Sequence, residues 1–311
     1  MKRLAAIDLG TNSALLLVAE ISGQMAIRPI FECEKIIRLG EGIDANRILK
    51  NEAILRAVNT IKEYKIITQK YGIENIILSG TSAVRDARNR DEFLTQIKSE
   101  TNIHMQVLSG AEEARLTYLG ALSNKNYLTG ENLMLDIGGG STEFIWGRQN
   151  KISHAISLDI GSVRLRERLQ HHDPVTDDEF ESIQKTIEET LRSKLNHYQN
   201  TKPENFVAIA GTVTTLAAMH LKLPKYEPDK VDNKRLSLQE IRRLIDIFKT
   251  RPAGEITKMP GINPARASVI LPGAMILLSA MIFFNFDEVI VSDRGLRYGL
   301  LIDNRQSLID N

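Results

Sequence analysis

The chain of 311 residues has one cysteine, one tryptophan, 5% aromatic residues and a formal net charge of +1. The lone thiol, Cys33, excludes an internal disulfide and a cysteine-based zinc centre. Scattered Tyr and Phe residues form no stacking platform for single-stranded nucleic acid. A net charge near zero gives no general attraction to nucleic acid or to an anionic membrane, so any anion must be held locally. The six histidines do not cluster at metal-ligand spacing, and the neighbours His171 and His172 are expected to point apart on the surface of a helix. Neither G-x-x-x-x-G-K-[ST] nor G-x-G-x-x-G occurs, which removes two common phosphate-loop motifs.

One run is nearly all apolar: "ASVILPGAMILLSAMIFF", residues 267–284. It is broken by Pro272 and Gly273 and lacks basic flanks or an aromatic belt. A helix buried between packed layers is the expectation, not a membrane span. The N-terminal "MKRLAAIDLG" reaches a buried-looking Asp too early for a signal peptide. A cytoplasmic location, with no membrane or nucleic-acid partner, is therefore expected.

The hydrophobic pattern changes period along the chain. "LAAID", "ALLLVAEI" and "MAIRPIFEC" read as a meander of strands. "NEAILRAVNTIKEYKIITQKYG" spaces Ile54, Val58 and Ile61 as a helix does. Strands "NIILSG" and "HMQVLSG" then alternate with helices "NRDEFLTQIKSE" and "SGAEEARLTYLGAL". The second half restarts the scheme with the hairpin "NLMLDIGGGSTEFIWG", the strand "KISHAISL", and further helices and strands. Capping boxes are expected at Ser109 with Glu112, Thr176 with Glu179, and Ser237 with Glu240. The repeat implies a duplication at domain scale. We expect an α/β chain of two mixed-sheet domains flanked by helices: residues 1–125 with a C-terminal helix at about 296–311, and residues 126–295. The boundary is expected in "SNKNYLTGEN", residues 123–132. Two such domains facing each other form an interdomain cleft, with one turn on each wall.

Each half contains an acid-tipped turn. In "AAIDLGTNSALLLV", Gly10 lets the backbone turn sharply after Asp8, and Thr11, Asn12 and Ser13 add hydroxyl and amide groups. In "LMLDIGGGSTEFIWG", Gly138, Gly139 and Gly140 remove side chains, so that successive N–H groups can form an anion-binding concavity, and Ser141 and Thr142 add hydroxyls. Asp8, Asp136 and Glu143 beside bound phosphate would repel it. A hard divalent cation resolves this, because Mg²⁺ is bound through one or two carboxylates plus phosphate oxygens. The alternative is that the two Asp residues cap turns and the glycines bend a hairpin; two matched turns favour a functional reading.

A phosphate site also needs a base or an acceptor. In "LSGAEEARLTYLGAL", the capping box gives Glu112 a structural task. Glu113 points about 100° away around the helix axis and has none, which makes it the general-base candidate. Gly120, on the same side, marks a place for close packing. Arg85, Arg88 and Arg90 in "TSAVRDARNRDEF" are candidates for phosphate oxygens or else a solvated helix start. Gly211 and Thr212 stand where a strand runs into a helix, a place for an anion or for small-residue packing. "VSDRGLRYGLL" sets Ser292, Asp293 and Arg294 at a strand end.

Taken in order, "AAIDLGTNSALLLVAE", "GTSAVRDARNRDEFL", "LSGAEEARLTYLGA", "LDIGGGSTEF", "SLDIGSVRLRER", "AIAGTVTTLAA" and "VSDRGLRYGLL" resemble the exopolyphosphatase/guanosine pentaphosphate phosphohydrolase (Ppx/GppA) family in its short two-domain form. The resemblance implies the duplicated actin-like ATPase (ribonuclease H-like) fold. It implies Mg²⁺-dependent hydrolysis of the terminal phosphoanhydride of inorganic polyphosphate, or of the 5′-γ-phosphate of guanosine pentaphosphate, and assembly as a homodimer. The family's catalytic glutamate falls on Glu113, and its phosphate and metal residues on Asp8, Gly10 to Ser13, Asp136, Gly138 to Ser141 and Glu143. One departure stands out. Many members carry Arg or His seven residues after the first Asp, and this chain has Leu15. Two other readings keep the fold: a kinase or ATPase of the same superfamily, which would form ATP from polyphosphate and ADP, and a binding module that releases no phosphate.

Overall fold

The computed structural model describes residues 2–22, 26–124 and 128–309. The chain divides into two compact units, residues 1–126 with 294–311, and residues 127–293. Part of the expected boundary segment, residues 125–127, lies outside the described residues.

The first unit opens with β1 (Lys2–Leu9), β2 (Ser13–Ser22) and β3 (Ala26–Ile36), followed by α1 (Ile43–Asn46) and α2 (Asn51–Lys70). Strand β4 (Ile76–Gly80), helices α3 (Ser82–Asp86) and α4 (Arg90–Thr101), strand β5 (Met105–Val107) and helix α5 (Gly110–Leu122) complete its N-terminal part. Among the described residues its sheet has the order β3-β2-β1-β4-β5. Strands β1 to β3 pair antiparallel, and β4 and β5 add in parallel.

The second unit has β6 (Glu131–Ile137), β7 (Thr142–Arg148), β8 (Lys151–Leu158), α6 (Ser162–Leu169), α7 (Asp177–Leu195), β9 (Asn205–Ile209) and α8 (Ala210–His220). It continues through α9 (Pro228–Val231), β10 (Arg235–Ser237), α10 (Leu238–Thr250), α11 (Ala253–Ile256), α12 (Ile270–Phe283) and β11 (Glu288–Val291). Helix α13 (Leu296–Ile309) then returns to the first unit. The second sheet has the order β10-β11-β9-β6-β7-β8. Read from β8, it repeats the first sheet: three antiparallel strands, then parallel additions β9 and β11. This is the expected duplicated actin-like fold.

Period-two alternation sorts the first sheet's side chains onto two faces. Ala5, Ile7 and Leu9 of β1 pack under α2 and α4 with Ile54, Val58, Ile61, Phe93 and Ile97. Leu4 and Ala6 face the other way, with Leu116 of α5 and Leu296, Tyr298 and Leu301 of α13. Asp8 continues that second row. In the other unit Leu133, Leu135, Ile137, Phe144 and Trp146 pack with residues of α7, α8, α10 and α12. Asp136 and Glu143 alternate onto the opposite face.

Helix α12 corrects one expectation. Pro272 and Gly273 do not break it, because Pro272 lies in its first turn, where no intrahelical N–H is required. Gly273 allows close approach: a Cβ there would lie 2.5 Å from Thr212 Oγ1 of α8. With 14 residues, α12 is buried among other elements, and no helix among the described residues is long and apolar enough to cross a membrane. The capping boxes form at Ser109 and Thr176. At Ser237 the hydroxyl caps the Glu240 N–H, but the Glu240 carboxylate turns to Arg243 and His220 instead.

Candidate active site

In the first unit the turn after β1 is closed by Gly10 N–H donating to Ser13 O at 2.9 Å. Its carbonyls are engaged from one segment: Gly40 N–H donates to Thr11 O, and Ile37 and Arg38 N–H both donate to Asn12 O, each at 2.9 Å. Among the described residues the N–H groups of Thr11 and Asn12 have no backbone acceptor. The Asn12 side-chain Nδ2 is buried and makes no hydrogen bond there either. A buried donor left unpaired costs about 1–3 kcal/mol, which an anionic acceptor would relieve. Thr11 Oγ1 and Ser82 Oγ are 3.0 Å apart, tying the turn to the start of α3.

Helix α3 carries Arg85, and α5 carries Glu113. Glu112 does the capping work at Ser109, which frees its neighbour. The Glu113 side chain is only 12% exposed, and its Oε2 accepts from Arg85 Nη1 at 2.8 Å. The same nitrogen reaches Leu108 O at 3.2 Å. Burial raises the Glu113 pKa, and the Arg85 hydrogen bond and charge oppose it. Asp8 Oδ1 is sealed from solvent without a hydrogen-bond partner. Burial and the nearby charge of Glu113 push Asp8 up to about 7, against the pull of Arg297. Arg297, on α13, is buried and lies 2.6 Å from Glu32 of β3, which also accepts from Tyr298 OH at 2.6 Å.

The second unit repeats the turn. Gly138 N–H donates to Ser141 O at 3.0 Å. Here the carbonyls are engaged by the start of α6: Ser162 N–H donates to Gly138 O, and Val163 and Arg164 N–H to Gly139 O, at 2.9–3.0 Å. Gly161 permits that approach, since a Cβ there would lie 2.4 Å from Gly139 O. The N–H groups of Gly139 and Gly140 have no backbone acceptor among the described residues. Asp136 and Glu143 are direct partners in the β6–β7 ladder, as Asp8 and Leu15 are in β1–β2. Leu15 thus occupies the position that Glu143 holds in the second hairpin. Ser157 Oγ donates to Glu143 Oε1 at 2.6 Å.

At the end of β9, Ala210 adopts φ +72°, a left-handed conformation uncommon for a residue with a Cβ. Gly211 follows with Arg266 directly against it: a Cβ there would lie 1.9 Å from the guanidinium carbon. Thr212 is buried. Ser292 is buried and donates its N–H to Ala208 O, and Asp293 accepts from Tyr226 OH.

The candidate residues therefore form two groups. Asp8, Gly10 to Ser13, Arg85 and Glu113 belong to the first unit; Asp136, Gly138 to Ser141, Glu143, Gly211 and Thr212 belong to the second. Arg88 and Arg90 do not join Arg85: Arg88 is exposed, and Arg90 pairs with Asp91. His171 and His172 follow the end of α6 instead of lying on a helix, and both backbone N–H groups donate to Glu179 Oε1. Among the described residues no group of three or more His, Cys, Asp or Glu stands ready to hold a metal ion. Arg297, Arg266 and Ser157 escaped the sequence reading. They reach the two groups through tertiary contacts, and only Ser157 and Arg297 lie inside motifs that had been singled out.

Residues 17–308 match the profile of the Ppx/GppA phosphatase family. The chain belongs to that family. Exopolyphosphatase 2 of Mycobacterium tuberculosis is 32% identical over 289 residues, covering 89% of each chain. The bifunctional 3-dehydroquinate synthase/phosphatase of Fusobacterium nucleatum is 34% identical over 96% of this chain, which spans 46% of that relative's length. Among solved structures, the Aquifex aeolicus Ppx/GppA family member superposes with a TM-score of 0.82 at 34% identity, covering 99% of this chain and 98% of that one. The family is one of phosphatases, and this member is an enzyme.

Proposed function

We propose that the protein is an exopolyphosphatase that hydrolyses the terminal phosphoanhydride of inorganic polyphosphate, the 5′-γ-phosphate of guanosine pentaphosphate, or both. The observation that carries this reading is the Arg85–Glu113 pair in the unit that also holds Asp8 and the Gly10–Ser13 turn. Glu113 is buried and fixed at one oxygen, and its raised pKa suits a general base that takes a proton from the attacking water. The turn N–H groups and the Asn12 amide are offered to phosphoryl oxygens, and binding charge as it builds is the main protein contribution to phosphoryl transfer. Gly138 to Ser141 supply a second set of donors.

The residues fit a divalent cation. Asp8 has an orphaned, buried carboxylate oxygen, and Asp136 and Glu143 are adjacent across a ladder. Such hard oxygen donors suit Mg²⁺: Asp8 is the carboxylate offered by the first unit, and Asp136 and Glu143 are those offered by the second. When bound, Mg²⁺ would neutralise phosphate charge. The names of relatives such as the mycobacterial exopolyphosphatase support polyphosphate as a substrate.

The test is phosphate release from polyphosphates of defined length and from guanosine pentaphosphate, with and without Mg²⁺, alongside polyphosphate plus ADP assayed for ATP. Mg²⁺-dependent release of phosphate is expected. ATP formation without hydrolysis overturns the reading in favour of a kinase. Tight binding with no release makes the protein a binding module.

A further inference from the structure

One row of side chains crosses three strands of the second sheet: Asp136 on β6, Glu143 on β7 and Ser157 on β8, each the direct partner of the next. Residues directly opposed in an antiparallel pair share a face, and like charges so placed destabilise it. Glu143 is only 5% exposed, so water screens it poorly. Ser157 Oγ lies 2.6 Å from Glu143 Oε1 with the hydroxyl donating, the length of a strong charge-assisted bond. Ser157 itself is exposed on the edge strand, where its side chain fills no core space. The same row in the first unit reads Asp8, Leu15 and Glu34. The hairpin fold therefore does not demand a hydroxyl or a central carboxylate; the second unit has both.

We propose that Ser157 is the positioning residue of Glu143, holding its carboxylate in one orientation beside Asp136 so that both offer oxygens to a divalent cation. The inference rests on the cation reading above. Ser157 acts through Glu143 and touches neither substrate nor ion. Its loss allows the two carboxylates to splay, and it weakens cation binding without removing a ligand.

The test measures Mn²⁺ binding to the full chain, with inorganic phosphate at one fixed concentration and a protein-free control, from loss of the free-ion paramagnetic resonance signal. Wild type, Ser157→Ala, Ser157→Thr and Glu143→Gln are compared, with thermal melts to establish folding. Ser157→Ala is expected to weaken Mn²⁺ binding roughly tenfold. Ser157→Thr keeps the hydroxyl on a residue suited to a strand and restores binding. In turnover, Ser157→Ala raises the Mg²⁺ concentration needed for half-maximal rate, while kcat at saturating Mg²⁺ returns to that of wild type. Wild-type Mn²⁺ affinity in Ser157→Ala overturns the role of Ser157 and leaves the cation reading standing. Absence of Mn²⁺ binding in wild type, or binding indifferent to Glu143→Gln, overturns both.

Discussion

Arg85 Nη1 donates to Glu113 Oε2 at 2.8 Å, joining α5 to α3, the helix whose Ser82 meets Thr11 of the Gly10–Ser13 turn. Burial pushes the Glu113 pKa up, and the hydrogen bond and charge of the Arg85 guanidinium restrain that rise. Glu113→Gln is expected to keep substrate binding and lose about 10²–10⁴-fold in turnover, read by equilibrium binding and single-turnover phosphate release. Normal turnover would remove Glu113 as the base. Arg85→Met deletes the restraining charge, so Glu113 holds its proton to higher pH. The acid limb of the kcat/KM profile should therefore move upward in pH, and an unmoved limb would assign it to another group.

Asp8 is raised in the same direction as Glu113, with burial again the leading cause. Its pKa rises from 3.8 to about 7 on folding. Between those values the folded chain holds a proton that the unfolded chain has released. This group's contribution to stability therefore falls as pH rises through that interval, by about 4 kcal/mol. A salt-bridged Asp would show the reverse sign. Asp8→Asn keeps the shape and removes the titration. In chelator-treated buffer its Tm should depend less on pH than that of wild type, and it should exceed wild type at pH above about 7. Parallel Tm–pH curves for the two proteins would place the titration elsewhere.

Much of this arrangement was legible because it is local. The hairpins around Gly10 and Gly138 announce themselves through strand alternation interrupted by a polar, glycine-bearing turn, and both close with the same N–H to carbonyl bond. The Ser109 capping box separates the tasks of Glu112 and Glu113 within four residues. What escaped depends on contacts between distant segments. The C-terminal helix was expected with the first unit, but the pairing of Arg297 with Glu32 depends on the register in which α13 packs on the first sheet, which no spacing rule encodes. Arg266 meets Gly211 only once the segment before α12 lies over α8. His171 and His172 were expected on a helix, but α6 ends at Leu169 and Glu179 captures the chain beyond it. Pro272 looked like a breaker because its sequence does not show that the helix begins two residues earlier.

The return of α13 also brings two main chains together. A Cβ at Gly299 would lie 1.8 Å from Leu116 O, and one at Gly120 would lie 2.0 Å from Gly295 O. Both obstacles are backbone atoms of the opposing segment, so no rotamer change relieves them; the helices must separate. Alanine is the better helix former by about 1 kcal/mol, yet Gly299→Ala is expected to lose about 3 kcal/mol through overpacking, measured by urea denaturation. Because α5 carries Glu113, the displaced helix should also lower kcat at temperatures where the variant remains folded. Gly254→Ala is the control, since a Cβ there meets nothing within 4 Å, and it should hold or slightly gain stability. Equal stability of Gly299→Ala and wild type would mean that α13 does not cross α5 at backbone contact, and the coupling of the C-terminal helix to Glu113 would fall with it.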